Sequence, residues 1–219
     1  MSDIAIMTDS NCGIMPGCEP FPDIHIIPMP VLIDGETFYE GKSITAEEFY
    51  RQLASDAAVS TSLPSPGDVM DMWSSLLRDY KELVYIPMSS GLSTSCASAL
   101  ALASEGEFEG RVHVVDNHRI SVTQTQSVLD AHFLAEEGKT GRQIKEHLEE
   151  EALDASIYIA VDTLKYLKRG GRITPAAAAV GTVLNLKPVL TIQGDKLDAF
   201  AKVRGMKAAF RTMCKAVEK

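Results

Sequence analysis

The residues best suited to chemistry lie in one short stretch, residues 89–99, which reads SSGLSTSCASA. Its first seven residues carry five hydroxyl side chains and one glycine. The apolar run ELVYIPM precedes it and a helix-like pattern follows it, so the stretch is predicted to turn from a strand into a helix. Hydroxyls at such a turn suit a serine nucleophile, a phosphate-binding loop or a cup for another anion.

The nucleophile hypothesis centres on Ser93. A nucleophile elbow reads G-x-S-x-G, whereas this stretch reads S-G-L-S-T and lacks the second glycine. His118 and Asp116 are candidate partners for Ser93 in a serine hydrolase or acyltransferase. The residues alone leave this alternative open.

Nucleotide binding is disfavoured by spacing. The segment DGETFYEGKS ends in Gly41-Lys42-Ser43, but five residues separate Gly35 from Gly41 where a Walker A loop has four. The sequence also contains no G-x-G-x-x-G, so it lacks a dinucleotide fingerprint.

Anion capture is the remaining chemistry. A helix N-terminus offers unpaired N–H donors, and Ser93 or Thr94 would add hydroxyl donors there. The alternative is that these hydroxyls only cap the helix. A second hydroxyl-rich segment, residues 60–62, is predicted to be a loop. Because loops at the carboxyl ends of parallel strands converge on one crevice, we expect the two segments to face each other.

Composition excludes several classes of function. The net charge of −9 and the pI near 5 argue against a nucleic-acid partner, because phosphate backbones need a concentrated basic face. The four cysteines are irregularly spaced and are interpreted as free thiols. The cysteine and histidine spacings predict no metal site, and no cofactor is expected. The N-terminus resembles no signal peptide, so a cytoplasmic location is expected.

Helices alternate with short apolar strands up to about residue 151, which predicts an α/β fold with a parallel sheet. Thr45 and Thr140 are predicted to begin helices in capping boxes, and Pro66 follows Ser65 as at a helix start. The runs IHIIP and PVLI contain prolines and are predicted to lie at a sheet edge or in a crossing loop. A boundary near residue 153 divides a first domain, residues 1–153, from a smaller α+β domain, residues 154–219, with a hairpin turning at Gly194 and Asp195.

A succession of motifs resembles the bacterial DegV-like fatty-acid-binding proteins. The pairing of LKRGGRI with LKPVL is the most specific of them. The motifs, in the family's order and across the whole chain, are TDSN (8–11), TSLPS (61–65), SSGLSTS (89–95), VVD (114–116), LKYLKRGGRI (164–173), LNLKPVL (184–190) and KVRG (202–205).

The resemblance implies a two-domain α/β protein that is not itself a catalyst. It implies a buried long-chain fatty acid between the domains, presented to a separate ATP-dependent fatty acid kinase subunit that forms acyl phosphate. On the family's motifs, Thr61 and Ser93 hold the carboxylate. Candidate additional ligand contacts are Ser62, Ser90, Gly91, Thr94 and Arg204.

Two further roles are expected at the protein's surface. Arg169 and Arg172 are expected to form, with Arg204, a basic rim that docks the kinase or the transferred phosphate. Transient contact with a membrane surface is expected when the lipid is taken up. A degenerate member that binds no lipid and only interacts with other proteins is a third hypothesis.

Three departures from the family pattern bear on these expectations. Thr94 stands where relatives usually have glycine, and Gly205 where they usually have threonine. Family members usually continue beyond the position of Lys219, so the second domain is expected to be incomplete in this chain.

Overall fold

The structure, a computed structural model, describes residues 3–178, 186–193 and 196–218. The chain forms two compact units, Met1–Ala152 and Leu153–Lys219. The strands of the first unit are β1 (Ile4–Asp9), β2 (Ile24–Ile27), β3 (Pro30–Ile33), β4 (Glu36–Tyr39), β5 (Val59–Thr61), β6 (Glu82–Ile86) and β7 (Val112–Val114). Its helices are α1 (Ala46–Ala54), α2 (Pro66–Leu76), α3 (Ser95–Ala103), α4 (Val122–Glu136) and α5 (Gly141–Glu150), with short 3-10 helices at Ser10–Cys12 and Gly106–Phe108.

The second unit contains strands β8 (Ile157–Ala160), β9 (Leu186–Ile192) and β10 (Asp198–Arg204). Its helices are α6 (Lys165–Gly170), α7 (Pro175–Ala178) and α8 (Met206–Val217).

A four-stranded parallel sheet, in the order β2-β1-β6-β7, forms the centre of the first unit. Its strands are apolar on both faces because helices cover both sides. Ile4 and Ile6 of β1 pack in one cluster with residues of α4 and α5. Ala5 and Met7 pack in the other with residues of α2 and α3. The alternation of side chains along each strand thus produces two cores, and the predicted α/β class is confirmed.

The order of the strands creates a switch point between β1 and β6. From β1 the chain continues to β2 on one side, and later enters β6 on the other side. The segments that leave the carboxyl ends of β1 and β6 therefore diverge, and in open α/β sheets such a point is where ligands bind.

A second, antiparallel sheet in the first unit corrects two predictions. Its order is β4-β3-β5. The run PVLI is its central strand rather than an edge, which is possible because Pro30 occupies the first position and needs no ladder N–H. Residues 59–61 were predicted as part of a loop but form β5, because β3 offers them ladder partners.

The predicted helix starts are present. Thr45, Ser65 and Thr140 each accept a hydrogen bond from the backbone N–H three residues later, and Thr140 forms a full capping box with Gln143. The helix after the hydroxyl-rich stretch begins at Ser95. Ser93 therefore lies in the turn before α3.

In the second unit, the sheet has the order β10-β9-β8 with antiparallel neighbours, and α8 packs against all three strands. Helix α6 ends at Gly170, and the next residue, Gly171, caps it with a φ of +69°. Thr174 Oγ1 accepts a hydrogen bond from Ala177 N and so caps the short helix α7. The predicted turn at Gly194 and Asp195 lies outside the described residues. Among the described helices, none is both long enough and apolar enough to cross a bilayer.

Candidate functional site

Asp9, the last residue of β1, joins the two sides of the switch point. Its Oδ2 accepts a hydrogen bond from Met88 N at 2.8 Å, and its Oδ1 accepts from Asn11 N at 3.0 Å and Asn11 Nδ2 at 2.8 Å. Gln124 Nε2, from the first turn of α4, also donates to Oδ1 at 3.3 Å. The carboxylate thus links the segment after β1 to the segment after β6 and to α4.

Burial gives Asp9 unusual acid–base behaviour. Its side chain is fully buried, and loss of hydration raises the pKa of its carboxyl, while hydrogen bonds from Met88, Asn11 and Gln124 oppose the rise. No cation shares an ion pair with it in the described part of the chain. Its negative charge is therefore compensated by N–H dipoles alone.

The hydroxyl-rich loop after β6 is folded back on itself. Leu92 N and Ser93 N both donate to Ser89 O, at 3.0 and 3.1 Å, and Gly91 N donates to Ser89 Oγ at 3.2 Å. Ser93 Oγ lies 2.8 Å from Ser95 Oγ and accepts from Ser95 N at 3.1 Å. The Ser93 hydroxyl therefore caps the start of α3, while Thr94 at the cap position makes no side-chain cap bond.

The other candidate carboxylate donor, Thr61, lies at the end of β5. It pairs with Val31 of β3, and the following Ser62 N donates to Pro30 O at 3.4 Å. Thr61 and Ser62 are both exposed, so their hydroxyls are accessible at the end of this strand.

Ser10 connects the Thr61 strand to the switch point. Its buried hydroxyl accepts a hydrogen bond from Met29 N at 3.0 Å and donates to Glu40 Oε2 at 2.6 Å. Met29 immediately precedes Pro30, the residue that bonds Ser62. Asp9 and Ser10 thereby attach both hydroxyl-bearing segments to the carboxyl end of β1.

The loop after β7 carries the candidate partners for a Ser93 nucleophile. Asp116 Oδ1 accepts a hydrogen bond from Ser90 N at 3.4 Å and lies 4.0 Å from His118 Nδ1. This places Asp116 and His118 beside the start of the hydroxyl-rich loop. In the described part of the chain, however, the Ser93 hydroxyl bonds Ser95 rather than a histidine. A hydrolytic nucleophile needs a base within hydrogen-bonding reach.

The three predicted arginines lie in the second unit. Arg169 is in the last turn of α6, and Arg172 follows it, with Nη1 donating to Gly170 O. Arg204 ends β10 opposite Leu186. The next residue, Gly205, has a φ of +75°, a backbone conformation in which the family's usual threonine would be strained.

Metal-ligating and thiol chemistry find little support among the described residues. No group of three or more His, Cys, Asp or Glu side chains there could hold a metal ion. All four cysteines are free. Burial raises the pKa of the Cys12 thiol to about 11 and that of Cys96 to about 12, which keeps both protonated and unreactive at neutral pH.

Sequence reasoning missed the residues that organise this site. The motif TDSN indicates a turn, and Asp9 does cap the 3-10 helix by accepting from Asn11 N, but nothing local predicts its bond to Met88. Gln124 gives no signal at all, because its partners Thr8 and Asp9 are more than 100 residues away in sequence. The only available hint is the presence of polar residues directly after an apolar strand.

Comparison with known proteins gives a consistent result. The model of the DegV family of uncharacterised proteins matches residues 3–219. A DegV domain-containing protein of Staphylococcus aureus is 37% identical over an alignment that covers 98% of this chain and 75% of that protein. One from Deinococcus radiodurans is 33% identical over 217 residues, which are 99% of this chain and 76% of that protein.

Several solved structures also resemble the chain in fold. A fatty-acid-binding DegV family protein from Thermus thermophilus has a TM-score of 0.88 at 33% identity, covering 100% of this chain and 77% of that one. DegV of Bacillus subtilis, a fatty-acid-binding protein, has a TM-score of 0.81 at 27% identity, covering 100% and 78%. A stearic-acid-binding protein from Eubacterium ventriosum has a TM-score of 0.86 at 26% identity, covering 98% and 75%. On its sequence and its fold, the chain belongs to the DegV family.

Proposed function

We propose that this protein is a non-catalytic carrier that binds a long-chain fatty acid and holds its carboxylate with the hydroxyls of Thr61 and Ser93. The observation that carries the proposal is the attachment of both hydroxyl-bearing segments to the end of β1, through Asp9 to Met88 and through Ser10 to Met29. Fatty acid binding by the solved relatives from Thermus thermophilus and Bacillus subtilis supports it.

Neutral donors suit a carboxylate that must react later. Removing a carboxylate from water costs several kcal/mol unless other donors replace its hydration. Hydroxyls and the N–H groups at the start of α3 supply such donors without a bidentate arginine, which would hold the carboxylate more tightly. The carboxylate therefore stays nucleophilic toward a phosphoryl donor.

Other residues of the same loop are candidate secondary contacts. Gly91 N and Ser93 N already bond within the turn, so further donors would come from the Ser90 and Thr94 hydroxyls, both of which are exposed. Ser62, next to Thr61, is exposed as well. We assign these residues, with Arg204 as a further candidate, a supporting role in placing the head group.

The acyl tail supplies most of the affinity in this proposal. Burial of each CH₂ is worth about 0.8 kcal/mol, so a palmitate tail gains on the order of 12 kcal/mol before entropy costs. Such a gain lets a protein withdraw a fatty acid during brief contact with a membrane surface.

The proposal includes a partner enzyme. Arg169 and Arg172 are exposed in the second unit and suit recognition of an acidic surface or a phosphate. We assign them to docking a fatty acid kinase subunit, which would convert the bound acid to acyl phosphate. A cytoplasmic location, where ATP is available, belongs to the same proposal.

The decisive experiment is a denaturing lipid extraction of the purified protein, followed by mass spectrometry. We expect close to one long-chain fatty acid per chain. The matched variant, Ser93→Ala, should retain less lipid while its fold, measured by circular dichroism, is unchanged. Absence of lipid, together with esterase turnover that disappears in Ser93→Ala, would instead establish the hydrolase hypothesis. Absence of both lipid and turnover would favour a protein that only interacts with other proteins.

A further inference from the structure

Asp9 and Ser10 are consecutive buried residues whose side chains bond in different directions. Asp9 is 0% exposed and Ser10 is 2% exposed. The Asp9 carboxylate accepts from Met88 N, in the segment after β6. The Ser10 hydroxyl accepts from Met29 N, in the segment before β3. One dipeptide therefore holds two parts of the chain that belong to different sheets.

The Ser10 branch leads to Thr61. Met29 is followed by Pro30, whose carbonyl accepts from Ser62 N at 3.4 Å. Val31, the next residue, is the ladder partner of Thr61. Glu40 closes this branch, because it accepts from Ser10 Oγ at 2.6 Å while its own N–H donates to Met29 O at 3.1 Å.

The Asp9 branch leads to Ser93. Met88 is followed by Ser89, whose carbonyl accepts from Ser93 N at 3.1 Å. Asn11 adds a second link, since its Nδ2 group contacts both Asp9 Oδ1 at 2.8 Å and Met88 Sδ at 3.1 Å. The hydrogen bond from Met88 N to Asp9 therefore fixes the beginning of the loop that carries Ser93.

We infer that Asp9 and Ser10 are two separate positioning residues, Ser10 for the Thr61 hydroxyl and Asp9 for the Ser93 hydroxyl. The inference rests on the proposed function, because it concerns the site that would hold the carboxylate. Neither residue touches the ligand in this scheme.

The physical reason is the separation of the two hydroxyls between independent elements. Thr61 belongs to the β4-β3-β5 sheet and Ser93 to the loop after the parallel sheet, so no single ladder sets their spacing. Two donors that share one carboxylate must be held to about 0.5 Å. A buried hydroxyl that both donates and accepts has one orientation, and a buried carboxylate with four N–H donors is similarly fixed.

Double-mutant cycles test this division. Ser10→Ala and Asp9→Asn are each combined with Thr61→Val and with Ser93→Ala, and palmitate affinity is measured by titration calorimetry. Ser10→Ala alone removes both hydrogen bonds of the hydroxyl, to Met29 N and to Glu40, and should weaken binding about threefold to tenfold. In the Thr61→Val background the same change should have less than about a twofold effect, because the hydroxyl that it positions is already gone.

The two positioning residues should give opposite patterns. In the Ser93→Ala background, Ser10→Ala should still weaken palmitate binding by its full factor. Asp9→Asn should have almost no effect on palmitate binding in that background, but should keep its full effect in the Thr61→Val background. If either Ser10→Ala or Asp9→Asn weakened palmitate binding by the same factor in the Thr61→Val and Ser93→Ala backgrounds, the inference would be overturned. A change in melting temperature without any change in palmitate affinity would overturn it as well. Ser10→Cys, which keeps the size and a weak acceptor, should fall between serine and alanine and serves if the alanine variant folds poorly.

A ligand-free measurement separates this inference from the proposed function. Failure of the unmodified protein to bind palmitate would overturn the proposed function. Amide hydrogen exchange then decides the inference by itself. Ser10→Ala should accelerate exchange at Met29 and Ser62 but not at Met88, and Asp9→Asn should do the reverse. Uniform acceleration at all three amides would show that the dipeptide supports the fold as a whole and would overturn the inference.

Discussion

The Met88 amide donates a hydrogen bond to Asp9 Oδ2 at 2.8 Å, joining residues 79 positions apart in the sequence. The bond spans the switch point between β1 and β6, and its acceptor is a fully buried carboxylate. A buried charge that is solvated only by N–H groups connects the site to the stability of the fold, because its ionisation has a free-energy cost.

Folding stability should respond to pH through Asp9. Burial raises the pKa of Asp9 in the folded state above its ordinary value of 3.8. Its stabilising contribution is therefore fully present below the unfolded pKa, and is lost as the pH rises through the folded pKa. In urea unfolding, the difference in free energy between the unmodified protein and Asp9→Asn should grow in favour of the unmodified protein as the pH falls from neutral towards the ordinary value of 3.8. A difference that is constant over this range would contradict the raised pKa.

Ligand affinity should depend on two hydroxyls. Thr61→Val keeps the β-branched shape and Ser93→Ala keeps the turn, but each removes a donor to the carboxylate. We expect each to weaken palmitate binding by about 1 to 3 kcal/mol, measured by calorimetry. Ser104→Ala is the matched control, because Ser104 is an exposed serine at the other end of α3 whose hydroxyl donates to Ala101 O. An effect of Ser104→Ala equal to that of Ser93→Ala would contradict the assignment.

The first turn of α5 should not tolerate a side chain at Gly141. An added Cβ would lie 2.3 Å from His113 Cδ2 and 2.7 Å from Glu82 Oε2, and so would break the 2.9 Å contact between these two side chains. Gly141→Ala should destabilise the protein by about 1 to 3 kcal/mol in denaturant unfolding.

Gly67→Ala provides the matched control for this steric argument. Gly67 also lies in the first turn of a helix, α2, and its added Cβ would meet only Ser65 Oγ at 3.7 Å. This change should leave stability unchanged or raise it by up to about 1 kcal/mol. His113→Ala should partly rescue Gly141→Ala, since it removes the closest atom. If Gly141→Ala and Gly67→Ala lost similar amounts of stability, the loss would reflect a property that both helix starts share and not the clash at Gly141.

Packing around Trp73 should tolerate phenylalanine but not alanine. Trp73 is fully buried, edge-to-face with Phe108 at 5.3 Å and Tyr85 at 5.9 Å between ring centroids. Its Nε1 is buried and has no hydrogen-bond partner among the residues that the structure describes, so Trp73→Phe loses no bond seen there. We expect a loss of about 3 to 5 kcal/mol for Trp73→Ala and a clearly smaller loss for Trp73→Phe, measured by circular dichroism during urea unfolding. Equal losses would mean that the indole nitrogen contributes to stability.

A substitution at a basic residue of the second unit should impair acyl phosphate formation without impairing palmitate binding. Arg172→Ala should leave palmitate affinity nearly unchanged and should slow acyl phosphate formation by the kinase partner, because Arg172 is assigned to docking. Arg142→Ala, which removes an exposed arginine paired with Glu146 in the first unit, should change neither property. If Arg172→Ala lost lipid as strongly as Thr61→Val, the division of roles would be wrong.

The local elements and the class of fold could be predicted from the amino-acid sequence. Alternating apolar strands and capped helices predict the α/β class, because period and cap chemistry act within a few residues. Thr140 with Gln143 shows this directly, since the whole capping box is contained in one helical turn. The succession of motifs, with the pairing of LKRGGRI and LKPVL as its most specific part, also indicates the family that the comparisons confirm.

The surroundings of Thr61 and Ser93, in contrast, depend on contacts between segments that are distant in the sequence. The antiparallel sheet that contains Thr61 depends on β3 as a partner, and β3 is some distance away in sequence, so local composition predicted a loop. Asp9, Ser10 and Gln124 form the buried network because strand order brings them to one switch point. Hydrogen bonds over such separations depend on which strands become neighbours, and a chain's local pattern does not encode that choice.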